Sequence, residues 1–110
     1  MNGYSPLLMA CKSGNENLVK YLVELGADVN KENKYNETPL YCACRKGNEK
    51  IVKYLIEHGA DVNRVNQYNE TPIYCTCRKG NEKIVKYLFE HGADVNKINQ
   101  YNETPIIWCM

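Results

Sequence analysis

The residues best able to do chemistry in this sequence are two cysteine pairs, Cys42-Ala43-Cys44 and Cys75-Thr76-Cys77. Paired cysteines raise zinc binding or thiol redox chemistry. Zinc needs four ligands converging on one point. Residues two apart on a helix point about 200° apart around its axis, so each pair diverges, and no histidine is spaced to complete a site. Cys11, Cys44 and Cys77 recur at intervals of 33 residues, as do Cys42 and Cys75. If equivalent helices stack at about 8–10 Å, their Cα atoms lie beyond the ~7 Å reach of a disulfide. Reduced thiols packed as small hydrophobes are expected. His58 and His91 each precede a glycine, where an imidazolium would favour a helix C-terminus. Neither has a nucleophile or carboxylate spaced for catalysis. Phosphate loops, nucleophile elbows and zinc-protease motifs are absent. No enzymatic activity and no cofactor or metal are expected.

The same spacing organises the whole chain. Residues 33–65 and 66–98 align throughout and differ at six positions, Lys34/Gln67, Leu40/Ile73, Ala43/Thr76, Ile56/Phe89, Arg64/Lys97 and Val65/Ile98. A more divergent copy covers residues 1–32 and a partial one covers 99–110. Self-similarity at this period marks a solenoid in which each unit buries its apolar face on the next. All 110 residues form one domain of stacked units.

Each unit carries its own punctuation. Thr38-Pro39 starts a helix, since threonine caps and proline suits the first helical position. That helix runs through Leu40, Cys42 and Cys44 to a stop at Gly47. Asn48 caps a second helix, with Glu49 near its positive end. Ile51, Val52, Leu55 and Ile56 give it one apolar stripe. Glu49, Lys53 and Glu57 lie four apart on the opposite side, where they form weak surface pairs. Gly59 ends the helix, and Asn36, aligned with Gly3, calls for a positive φ. The unit reads as helix, tight turn, helix and projecting finger.

Thr38-Pro39-Leu40, Gly47-Asn48 and Gly59-Ala60-Asp61-Val62-Asn63, repeated at this period, closely resemble the ankyrin repeat across essentially the whole chain. The resemblance implies an all-α solenoid of helix-turn-helix units with projecting β-turn fingers. Tyr41 and Tyr74 stand where the family usually has histidine, with Leu8 and Ile107 at the ends; a tyrosine can still donate a hydrogen bond to a neighbouring loop. The resemblance also implies partner binding through finger tips and the exposed ends of the first helices. Carried over, the finger positions are Lys34, Tyr35, Glu37, then Gln67, Tyr68, Glu70, then Gln100, Tyr101, Glu103. The helix positions are Lys12 and Ser13, Arg45 and Lys46, Arg78 and Lys79. Tyrosine and arginine dominate interface energetics, so this strip suits an acidic or mixed protein surface. The bland alternative has the arginines and lysines serving only the helix C-termini and the tyrosines packing on one another.

Composition agrees with a protein-interaction scaffold. Hydrophobic residues make up 44% and charged residues 25%, with a formal net charge of +1, giving no global field for nucleic acid or anionic membrane. No apolar run approaches the roughly 18 residues of a membrane helix. Met1-Asn2-Gly3-Tyr4-Ser5-Pro6 does not resemble a secretory signal, so a cytoplasmic or nuclear setting is expected. The chain ends Pro105-Ile106-Ile107-Trp108-Cys109-Met110, an apolar first helix without a second helix over it. Burying one large apolar side chain is worth roughly 1.5–3 kcal/mol. The end therefore either belongs to a longer array, self-associates through Ile106, Ile107 and Trp108 into a homo-oligomer, or frays. The competing functions are a structural spacer within a longer array and, weakest, a thiol-responsive module.

Overall fold

The computed structural model describes residues 5–104. Among them are six helices and no strand: α1 (Pro6–Ser13), α2 (Glu16–Glu24), α3 (Pro39–Lys46), α4 (Glu49–Glu57), α5 (Pro72–Lys79) and α6 (Glu82–Glu90). Every helix begins where its sequence says it should. Ser5, Thr38 and Thr71 accept hydrogen bonds from the amides of Leu8, Tyr41 and Tyr74, each with a proline at the following position. Asn15, Asn48 and Asn81 do the same for Leu18, Ile51 and Ile84. Such a cap contributes about 1 kcal/mol, which matters for helices of eight or nine residues that would not persist alone. The first helices stop at Gly14, Gly47 and Gly80, whose φ of 77°, 79° and 73° lie where a Cβ is strained.

The first helices α1, α3 and α5 form an inner row, and α2, α4 and α6 form an outer row. Packing explains the different sequences of the two rows. All six residues from Pro39 to Cys44 are buried in α3, because α3 lies between α1 and α5 and carries α4 on its back. The outer helix α4 buries Ile51, Val52 and Leu55, the stripe expected from sequence, with Ile56 partly covered. One apolar cluster runs unbroken from Leu7 to Ala93. The Ala43/Thr76 exchange leaves no orphan polar group, since the Thr76 hydroxyl donates to the Pro72 carbonyl at 2.8 Å. Glu49 and Lys53 pair at 3.2 Å on the exposed side.

Adjacent repeats are also tied by hydrogen bonds along two lines. On one, Asn30 clasps the next repeat: its Nδ2 donates to the Gly59 carbonyl at 3.1 Å and its Oδ1 accepts from the Asp61 amide at 2.8 Å. Asn63 repeats the clasp on Gly92 and Asp94 at the same distances. On the other, the fingers touch: the amides of Gln67 and Gln100 donate to the carbonyls of Tyr35 and Tyr68, both at 3.1 Å. Each finger is a β-turn, closed in the first case by the Asn36 amide on the Asn33 carbonyl at 3.0 Å. Asn36, Asn69 and Asn102 take the positive φ expected of them, 60°, 62° and 62°.

One sequence expectation meets a different outcome, and another falls on residues that are not described. Cys11, Cys42, Cys44 and Cys75 are buried free thiols, but Cys77 is disulfide-bonded. The distance argument covered only cysteines at equivalent repeat positions, and it says nothing about other pairings. Ile106, Ile107 and Trp108, expected to self-associate, lie outside the described residues.

Candidate partner-binding surface

Three asparagines organise the fingers. Asn33 accepts from the amides of Tyr35 (2.9 Å) and Glu37 (3.0 Å) through its Oδ1, and donates to the Glu37 carboxylate at 3.0 Å. Asn66 and Asn99 repeat this pattern around Tyr68 and Glu70 and around Tyr101 and Glu103. Because the asparagine at the turn has positive φ, the chain reverses, and the following glutamate folds back beneath the finger. The tyrosine two positions earlier is left pointing out.

The tucked glutamates join neighbouring repeats. The Tyr41 hydroxyl donates to Glu70 at 3.3 Å, and the Tyr74 hydroxyl donates to Glu103 at 2.9 Å. Thus the tyrosine that replaces the usual histidine does bond to the next loop, through a side-chain carboxylate. From within the same repeat, Arg45 bonds to Glu37 at 2.8 Å, while Arg78 lies 3.6 Å from Glu70. Lys12 adds a looser contact to Glu37 at 3.9 Å. Burial pushes the Glu37 carboxyl up, but hydrogen bonds from Asn33 and Arg45 outweigh it and hold the group below its usual range. Hydrogen bonds from Asn99 and Tyr74 likewise lower Glu103. Burial pushes the Tyr41 hydroxyl far up, so it stays a proton donor.

The sequence-selected residues therefore divide. Tyr35, Tyr68 and Tyr101 are exposed at the tips, by 39%, 45% and 69%, with the Lys34 ammonium 5.1 Å from the Tyr35 ring centre. Lys34, Gln67, Gln100, Arg45, Lys46, Arg78 and Lys79 are exposed as well. Glu70 is only 8% exposed, and Glu37 and Glu103 are half-buried; these three sit at the finger roots. The Arg45 and Arg78 guanidiniums lie over the rings of Tyr41 and Tyr74, at 5.6 and 5.8 Å from their centres. Sequence reasoning overlooked Asn33, Asn66 and Asn99. The signal was present, as a polar residue repeated at every unit without a helix to cap.

The cysteines and histidines read as structural. Burial raises the thiols of Cys11 and Cys44 to about 12 and that of Cys42 to about 11, far from a thiolate at neutral pH. Among the described residues, no three His, Cys, Asp or Glu side chains gather as metal ligands would. His58 stacks on Tyr54 at 4.0 Å between ring centres. Its Nδ1 lies 2.8 Å from the Tyr54 carbonyl, which can only accept, so Nδ1 carries the proton. His91 repeats this on Tyr87.

Compared with known families, the chain matches a family described as ankyrin repeats, in three copies, over residues 1–66 and 61–110. No curated protein matches it significantly.

Proposed function

Since the chain belongs to the ankyrin-repeat family, whose repeats are generally protein–protein interaction modules and typically non-enzymatic, we propose that it is a scaffold. It holds a protein partner across the finger tips and the adjoining ends of α1, α3 and α5. One observation carries this reading: each finger tucks its glutamate at the root, buried at Glu70 and half-buried at Glu37 and Glu103, and saturates its asparagine, yet leaves its tyrosine exposed. An exposed aromatic on a hydrogen-bonded platform loses little conformational freedom on binding, which favours affinity. Contact falls to Lys34, Tyr35, Gln67, Tyr68 and Tyr101 and to Arg45, Lys46, Arg78 and Lys79. Glu37 and Glu70 act from below by fixing the arginines. Among the described residues no helix is long and apolar enough to cross a membrane.

Capture of partners from cell extract tests the scaffold. The Tyr35→Ala/Tyr68→Ala/Tyr101→Ala variant should keep its helical circular dichroism and lose the captured protein. A variant that retains the full capture overturns the reading.

A second reading, a spacer unit of a longer array, has its own observation. Met9 and Leu18 are 60% and 40% exposed, whereas Cys42 and Ile51, at the equivalent places one repeat later, are covered. That edge of the stack has the shape of a repeat-accepting face. A spacer would capture nothing even with its tyrosines intact.

A further inference from the structure

The cations at the ends of the inner helices are arranged as rungs. Lys12, Arg45 and Arg78 occupy equivalent places on α1, α3 and α5, and Lys46 and Lys79 follow the two arginines. A hollow of about 260 Å³ between α1 and α3 is lined by Lys12, Cys42, Arg45 and Lys46. A second, of about 320 Å³, lies between α3 and α5 and is lined by Tyr41, Arg45, Cys75, Arg78 and Lys79. Arg45 walls both, so the two hollows run in one line.

The charge in this line is only partly cancelled. Among the described residues, Glu37 and Glu70 are the carboxylates within ion-pairing distance of Lys12, Arg45 and Arg78. Five positive groups stand against three tucked carboxylates, since Glu103 bonds the Tyr74 hydroxyl and is stabilised by the Arg78 charge; two positive charges remain on this strip, while the whole chain carries only +1. Among the described residues, no carboxylate lies within ion-pairing distance of Lys46 or Lys79. The tyrosine rings under Arg45 and Arg78 and the glutamates behind them hold the two guanidiniums in fixed positions. Each guanidinium has five N–H donors, so a bond to one glutamate leaves others for a second anion.

Packed helices lie about 8–10 Å apart, and a chain extended as polyproline II advances about 3.1 Å per residue with three residues per turn. Three residues of such a chain thus span one rung and return every third side chain to the same face. Duplex nucleic acid, with a charge about every 1.7 Å of its axis, is far denser than these rungs. We propose that the two hollows form one groove for an extended acidic protein segment bearing a carboxylate at every third residue. This rests on the scaffold reading above and adds the chemistry of the partner.

Fluorescence anisotropy of the full chain with labelled peptides tests the groove. One seven-residue peptide carries glutamate at every third position; an isomer carries the same glutamates side by side. The spaced peptide should bind about tenfold more tightly, weaken with added salt, and lose about another tenfold on Lys46→Gln/Lys79→Gln. Those lysines are exposed, so unchanged circular dichroism would show the fold intact. Equal binding of the two isomers, no binding, or tighter binding of a single-stranded DNA oligomer each overturns the groove. If the groove fails while tyrosine-dependent capture persists, the scaffold reading stands; if both fail, both fall.

Discussion

The root and the tip of each finger come from a single pentapeptide, Asn66-Gln67-Tyr68-Asn69-Glu70 in the third repeat, yet they live in opposite environments. At the root, Asn66 and Glu70 are buried and bonded to each other, and Glu70 also takes Tyr41 from the preceding repeat. At the tip, Gln67 and Tyr68 face solvent, and the tip reaches its neighbours through the backbone of these two residues and the Asn69 side chain, which donates to the Ile98 carbonyl at 2.9 Å. Polarity alone would have placed the glutamate outside and the aromatic inside. The turn at Asn69 reverses that order. Recurrence of a residue in every unit therefore says nothing by itself about contact with a partner, because a strut recurs as faithfully as a grip.

The contrast can be broken at the root first. Glu70→Ala removes the acceptor of the Tyr41 hydroxyl and of the Asn66 amide, and leaving buried donors unpaired is costly. Urea unfolding should show a loss of about 3 kcal/mol. Tyr41→Phe removes one donor and leaves Glu70 its bond from Asn66, so the same measurement should show about 1 kcal/mol. A loss as large as that of Glu70→Ala would mean that the inter-repeat bond dominates the root.

Acid sharpens the comparison further. Glu37 is held below its ordinary value of 4.5 in the folded chain, so its carboxylate contributes stability that is fully present above that value. The contribution disappears as the pH falls through the lowered folded value. Between about pH 5 and pH 3 the native chain should lose stability faster than Glu37→Gln, which has no such carboxylate to protonate. Parallel unfolding curves would show that Glu37 is not held as described. The smallest effect belongs to the tip: Tyr68→Ala should change stability by no more than about 0.5 kcal/mol, while partner capture drops. A destabilisation matching that of the root would show that the tyrosines are braces.

Most of the scaffold was legible in the residues themselves. Thr38-Pro39, Gly47, Asn48 and Asn36 each act within a few residues of chain, and each takes the expected cap, stop or positive φ. The stripe of Ile51, Val52 and Leu55 was readable because helix geometry fixes which residues share a face. The fingers were not readable in the same way. They lack a regular period, so the inward turn of Glu37 and Glu70 follows from one dihedral angle and from an asparagine bonding within its own loop. The clasp by Asn30 and Asn63 was hidden for another reason: it joins residues about thirty apart in sequence, with no local pattern to betray it.

That clasp bears on how the surface behaves as a gauge. Each unit is fastened to the next at two places along the loop that joins its helix pairs, by Asn30 and Asn63 and by the finger amides. Two ties a few residues apart, added to the packed helices, resist sliding of one unit on the next, so the interval between successive rungs is set before any guest arrives. Whatever lies across those rungs must conform its own spacing to the protein's, as a toothed rack must match the pitch of its gear.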